Sequence, residues 1–429
     1  MSRRSWVLPL SLLFLFVGCG SSSTPLGDDA SSPDNGPLPD GPGLDAAPGP
    51  RHNGPLFRRS AGDGELAAFQ LDQVEVNGGG ELVLPSGAGH PGSDPYAAGT
   101  YHGGNYYNGG TFRQGTARSE PWVGARGFDA VVPSFEALTP KGTWIAVFLA
   151  VRVGGAWSKD YALGVWASST ETVARHSVDG QQDATAEVAV DTLLLARKAD
   201  ALRFTVQLFA EGAATPRVRA VSAVVIDSAA SAPADTPTPA ARGKVLAVPA
   251  RSQMAWPGNG WCSPTSTSMI LAYWAKTLGK TALDETVPTA AAGIHDFVYD
   301  GTGNWPFNTA HAAALDGGAL HGVVTRLWSL HQVERLIAAG IPVAISIAYD
   351  AGELSGAPVS STDGHLVVVR GFTTDGDVAC NDPAAATDAK VPVTYKRAEL
   401  EAAWSSSYRT TYLIWPATRA LPVDPLGGF

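Results

Sequence analysis

A chain of 429 residues with 45% hydrophobic residues can bury more than one core, which excludes disorder along its whole length. Its net charge of −10 and the lack of any Lys/Arg cluster argue against a nucleic-acid partner. Three cysteines are too few for a disulfide-stapled scaffold, and His295, His311, His321 and His331 are too widely spaced for a zinc site, so no metal or other cofactor is expected.

At the N-terminus, Arg3 and Arg4 precede an apolar run from Trp6 to Val17, interrupted by Pro9 and followed by Gly18 and Cys19. The run is too short for a transmembrane helix, which needs about 20 residues. Residues 1–19 resemble a bacterial lipoprotein signal, with Phe16 where Leu is usual. The resemblance implies lipidation of Cys19, or plain secretion if that Cys is not modified. Ser2-Arg3-Arg4 also hints at twin-Arg export. The expected location is the cell envelope or periplasm, with membrane contact only through the lipid. Residues 20–55 are Ser, Pro, Gly, Asp and Ala with almost no large apolar side chain, and read as a disordered acidic tether.

Residues 56–228 show short β-propense runs between Gly, Asp and Pro: Thr143–Val153, Tyr161–Ala167, Ala184–Val190, Leu202–Phe209 and Val218–Ile226. They predict an all-β sandwich or jelly roll without a long helix. Trp144, Trp157 and Trp166 read either as a platform for a glycan or, more commonly for Trp on strands, as core. The loop Gly103–Gly110 adds a second, weaker sign of a surface ligand. Residues 229–243, rich in Pro and Ala, read as a linker.

In the stretch 244–429 chemistry concentrates. Gly260-Trp261-Cys262-Ser263-Pro264 passes from a Gly/Pro loop into a run with helical apolar spacing. That puts the Cys262 thiol at a helix N-terminus, where unpaired N–H groups favour a thiolate. Asp300–Asn308 is an aromatic loop that either lines a substrate cleft, with Asn304 and Trp305 beside Trp261, or caps a helix starting near Asn308. Leu330–Gly340 reads as a helix with a Gly stop, leading into a strand from Val343 to Ala348. Gly364–Phe372 and Val378–Asp382, joined by Thr373-Thr374-Asp375-Gly376-Asp377, predict a hairpin with His365 and Asp382 at one open end. A carboxylate there would fix the imidazole tautomer, as a Cys–His nucleophile pair requires. Cys380 shares its strand face with Asp382 and reads as core; a bridge to Cys262 would remove the nucleophile.

Leu246–Gln253, Trp261–Ser266, Gly364-His365 and Asn381-Asp382-Pro383 together resemble papain-like cysteine peptidases, and more narrowly the cysteine-peptidase family numbered thirty-nine, whose best-known members cut double-glycine leaders. The resemblance spans about residues 244–416 and implies an α+β papain-like domain behind the β-rich one. It implies Cys262 as nucleophile, His365 as general base and acid, Asp382 as orienting residue and Gln253 as oxyanion donor. An amide N–H aimed at the developing charge, with the Cys262 backbone N–H, is the donor pair that acyl transfer needs. Ser263 departs from the usual Gly and is expected to narrow the space beside the thiol. The expected function is hydrolysis of peptide or protein substrates. A papain-fold amidase or acyltransferase uses the same triad, and a non-enzymatic surface binding protein with a vestigial triad is the reading from another class.

Overall fold

The structure, a computed structural model, describes residues 54–93, 106–107, 110–256 and 260–429. The signal segment, Cys19, most of the acidic tether and most of the loop Gly103–Gly110 lie outside the described residues. Among the described residues no helix is long and apolar enough to cross a membrane.

The first part is built on six long antiparallel strands: β1 (Phe112–Arg118), β2 (Trp122–Leu138), β3 (Thr143–Val153), β4 (Tyr161–Trp166), β5 (Thr192–Ala210) and β6 (Arg217–Ile226). The first half of β5 pairs with β2, the second half with both β1 and β3. In the same way β2 passes from β5 to β6. With short flanking strands they make one thirteen-stranded sheet whose long strands all bury side chains in a common core. The 17-residue strand β2 is obscured in the sequence by Gly124, Gly127 and Pro133. Pro133 lies beyond Val131, where pairing with β5 has stopped and only β6 remains alongside, so its missing N–H costs no ladder bond on that side.

Trp144 and Trp166 are 2% and 0% exposed, so they cannot form the aromatic platform considered above. Trp144 stacks on Phe209 and meets Tyr107, the buried residue of the loop read as a binding element. Trp157 is half-buried beneath the Arg203 guanidinium.

The second part has five helices, α1 (Cys262–Leu278), α2 (Val287–Ile294), α3 (Trp305–Ala314), α4 (Leu330–Ala338) and α5 (Arg397–Ser406). Its strands are β7 (Leu320–Arg326), β8 (Val343–Tyr349), β9 (Thr362–Phe372), β10 (Val378–Asn381), β11 (Pro392–Tyr395) and β12 (Thr410–Pro416). They form an antiparallel sheet in the order β7-β12-β8-β9-β10-β11. Helix α1 is buried over most of its length and stops at Gly279, whose φ of 68° is the left-handed conformation glycine adopts without strain. Helix α3 begins three residues earlier than expected from Asn308 as its start, at Trp305, because Asn304 caps it: its Oδ1 accepts the Phe307 N–H at 3.1 Å.

The two parts share their cores. Ala290, Ile294, Phe307 and Ala310 of α2 and α3 pack into the core of the large sheet, and Val132 and Val224 of that sheet pack into the other core. Polar ties run between them as well. The Ser134 hydroxyl accepts the Val324 N–H, and the buried Glu136 carboxylate binds His321, Arg58 and the Gly322 N–H. Residues 229–243, expected as a linker, are mostly exposed through Ala234 but pinned beyond it. Asp235 is bound by Arg335 and Ser329, the Thr238 N–H donates to Glu334, and Ala241 is buried.

Candidate active site

Cys262 is the first residue of α1 and is 2% exposed. Trp261 at the cap position supplies no side-chain hydrogen bond, so the first turn carries no side-chain cap of its own. Pro264 fits in that turn because its missing N–H falls among those that have no intrahelical partner. The helix is fixed by hydroxyls along one side. The Ser263 and Tyr412 hydroxyls bond at 2.8 Å, Ser266 Oγ donates to the Leu366 carbonyl at 3.1 Å, and Thr267 Oγ1 donates to Asn308 Oδ1 at 3.1 Å. Ser263, expected to crowd the thiol, has its hydroxyl on Tyr412 in the core. The Ser266 bond sets the helix, one turn past Cys262, on the residue next to His365.

In the hairpin, Val368 faces Asn381 and Val369 faces Cys380, so His365, Val367 and Val369 share a face with Cys380 and Asp382. His365 and Asp382 meet across it, Nε2 to Oδ1 at 2.8 Å, both buried. The Ala384 N–H donates to Asp382 Oδ1 at 2.9 Å and the Tyr395 hydroxyl to Oδ2 at 2.6 Å. Burial works to raise the Asp382 carboxyl, but His365, Tyr395 and the Ala384 N–H outweigh it and hold the group below its ordinary value. An ionised carboxylate can only accept hydrogen bonds, so Nε2 of the neutral imidazole carries the proton and Nδ1 keeps the lone pair.

Gln253 opens a short helical turn, Gln253–Ala255, capped by the Ser252 hydroxyl. Two contacts bring it to the His–Asp pair. The Gln253 N–H donates to the Pro383 carbonyl at 2.9 Å, and Asn381 Nδ2 donates to the Val248 and Pro249 carbonyls at 3.2 and 3.1 Å. The Gln253 side chain is buried and its Oε1 accepts no hydrogen bond from any described residue.

Residues 57–225 match the family described as Peptidase C39 N-terminal domain, and residues 245–412 match the Peptidase C39 like family. The chain is C39-peptidase-like, with the N-terminal domain in front. No curated protein matches it.

Of the residues considered for the substrate cleft of the C39-like domain, Asn304 is fully buried and acts in support, capping α3 and donating to Asp296 Oδ2 at 2.9 Å. Trp261 and Trp305 are half-buried. The Thr302 hydroxyl donates to the Gly260 carbonyl at 3.4 Å, which ties the 296–305 loop to the segment before Cys262. The C39 N-terminal domain grips this loop from the other side. Arg175 donates to the carbonyls of Ala292 and His295, the Ser177 N–H to Asp296, and Asp191 accepts the Trp305 N–H at 2.7 Å. Burial raises Asp191 to about 6 against the pull of the Trp305 N–H. Tyr395, Asn381 and Asp191 are supporting residues that sequence reasoning missed. Only Asn381 had a signal, its place in Asn381-Asp382-Pro383. Among the described residues neither Cys380 nor Cys262 is part of a disulfide, and both are buried.

Proposed function

We propose that the chain is an exported cysteine peptidase with a papain-like second domain, which cleaves peptide bonds through a thioester on Cys262. The observation that carries this reading is the His365–Asp382 hydrogen bond at 2.8 Å, on the strand against which the N-terminus of α1 is laid. In the proposed reaction the Cys262 proton passes to His365 Nδ1, and the thiolate attacks the scissile carbonyl carbon. The electron pair displaced onto oxygen is met by the Gln253 amide and the Cys262 N–H. Collapse of this intermediate breaks the C–N bond as His365 gives its proton to the leaving amine. A water then attacks the thioester, with His365 as base, and releases the carboxylic acid and the thiol. Asp382 stays ionised throughout and stabilises the imidazolium. The lipoprotein-like N-terminus supports placing this chemistry outside the cytoplasm.

A second reading draws on burial: with Cys262 and His365 only 2% and 3% exposed, the residues would serve packing within a binding protein. The full chain and its Cys262→Ala variant, offered a library of quenched fluorescent peptides with amide and ester probes alongside, separate the two. Peptide cleavage lost in the variant supports the peptidase. Turnover of amides or esters alone points to an amidase or acyltransferase, and no Cys262-dependent turnover of any probe overturns the enzyme reading.

A further inference from the structure

Between the two domains lies a cavity of about 530 Å³, within the range that holds a small organic ligand. Trp122 and Phe128 of β2 line one side, and Trp328, just past β7, and Tyr408, between α5 and β12, line the other. The lining is rich in cations. Arg126, Arg326 and Arg409 all face it, whereas its carboxylate, Asp227, is bound to Lys198 at 2.5 Å.

Arg326 is 7% exposed, and its buried Nε has no hydrogen-bond partner among the described residues. Its Cζ lies 5.0 Å from the Tyr408 ring and 6.0 Å from the Trp305 ring, and the buried Nε of Arg409 likewise has no partner among the described residues. Burying a guanidinium N–H without an acceptor is unfavourable, since every nitrogen of the group is a donor. That cost is visible in Arg326, which burial lowers to about 10 although Tyr408, Asp191 and Asp129 act the other way. The turn that presents Tyr408 and Arg409 is itself strained, with φ of 52° and 54° at two successive non-glycine residues. Such conformations persist where the surrounding structure enforces them, and they cluster at ligand clamps.

We propose that this cavity is a binding site for a small organic anion, a carboxylate or phosphate ester with a flat apolar body. The anionic group would meet Arg326 together with Arg126 and Arg409, and the body would lie against the aromatic side chains. A neutral apolar ligand would leave the guanidiniums unpaired, and a bare inorganic anion would leave the aromatic lining unused. Cys262, His365, Asp382 and Gln253 do not line this cavity, and binding there is measured without turnover.

Isothermal titration of the full chain with benzoate, phenyl phosphate, inorganic phosphate and benzyl alcohol tests the proposal. Benzoate or phenyl phosphate is expected to bind at one site, and the tighter of the two names the head group. Inorganic phosphate and benzyl alcohol are expected to bind at least about tenfold more weakly. The Arg126→Gln/Arg409→Gln double variant, with an unchanged melting curve, should lose about tenfold in affinity for the better anion. No binding of either organic anion, benzyl alcohol binding as tightly as benzoate, or wild-type affinity in the double variant would each overturn it.

Discussion

Three donors converge on Asp382: His365 Nε2, the Tyr395 hydroxyl and the Ala384 N–H. Because the folded carboxyl is held below its unfolded value, its stabilisation is present above the unfolded pKa of about 3.9 and lost as pH falls through the folded value. Tyr395→Phe removes one donor, so its acid-unfolding midpoint, followed by circular dichroism, should lie at higher pH than that of the wild type. An unchanged midpoint would show that this bond does not hold the carboxylate. In turnover assays, Cys262→Ala and His365→Ala should abolish activity, and Gln253→Ala should cost on the order of 10²- to 10³-fold. Asp382→Ala should leave a residue of activity, because the carboxylate orients and does not react. The two thiols differ too. Burial and the nearby Asp382 charge push the Cys380 thiol up, so it stays protonated and inert. Iodoacetamide near neutral pH should therefore label Cys262 and spare Cys380, which intact-protein and peptide mass reads directly. The residues proposed to react stand out in the sequence because Gly and Pro mark the loops beside them, whereas Tyr395 sits in Pro392–Tyr395, a run with no mark beyond β propensity.

Among the elements, the hairpin of β9 and β10 was readable from its turn residues, and its register does bring His365 to Asp382. The β-bulge near its far end was not. Register shifts between Val369 and Gly371, and at Gly371 the chain admits Lys244 and Val245 so closely that an added Cβ would lie 2.3 Å from the Lys244 carbonyl oxygen. Only the folded backbone reveals that approach, since nothing in Arg370-Gly371-Phe372 separates a bulge from a plain strand glycine. Through it the segment leading to Gln253 is held on β9, with the Leu246 N–H donating to the Arg370 carbonyl at 2.7 Å. Gly371→Ala must push backbone against backbone, and should cost about 2–4 kcal/mol of stability. As the displaced segment carries Gln253, turnover should fall beyond the loss of folded protein. A variant with wild-type melting temperature and turnover would show that the segment does not depend on this contact.

For the whole molecule, sequence composition separates a β-rich region, a Pro/Ala stretch and an α+β region, and from this alone residues 244–429 look like an independent unit. What composition cannot show is that the faces of both regions are apolar where they meet. Phe307 of α3 lies 5.2 Å from the Trp166 ring and 6.4 Å from Phe135, inside the core of the large sheet. Glu136, 1% exposed, has its charge offset by Arg58, Arg219 and His321 together, so partners from both sides of the boundary are needed. A fragment from Lys244 to Phe429 would expose Phe307, Ile294 and Ala290 to water and release the loop that Asp191 and Arg175 hold. Each large apolar side chain so exposed forfeits about 1.5–3 kcal/mol, a large fraction of what many domains possess in total. The fragment is therefore expected to be aggregated or partly unfolded by circular dichroism, and the full chain to melt in one transition. For the same reason, a protease nick in the exposed stretch Ala229–Ala234 should leave both pieces associated on a sizing column, because Asp235 and Ala241 anchor the chain just beyond it. A fragment that melts cooperatively near the temperature of the full chain, or pieces that part after the nick, would mean that the shared core contributes little and that each region folds alone.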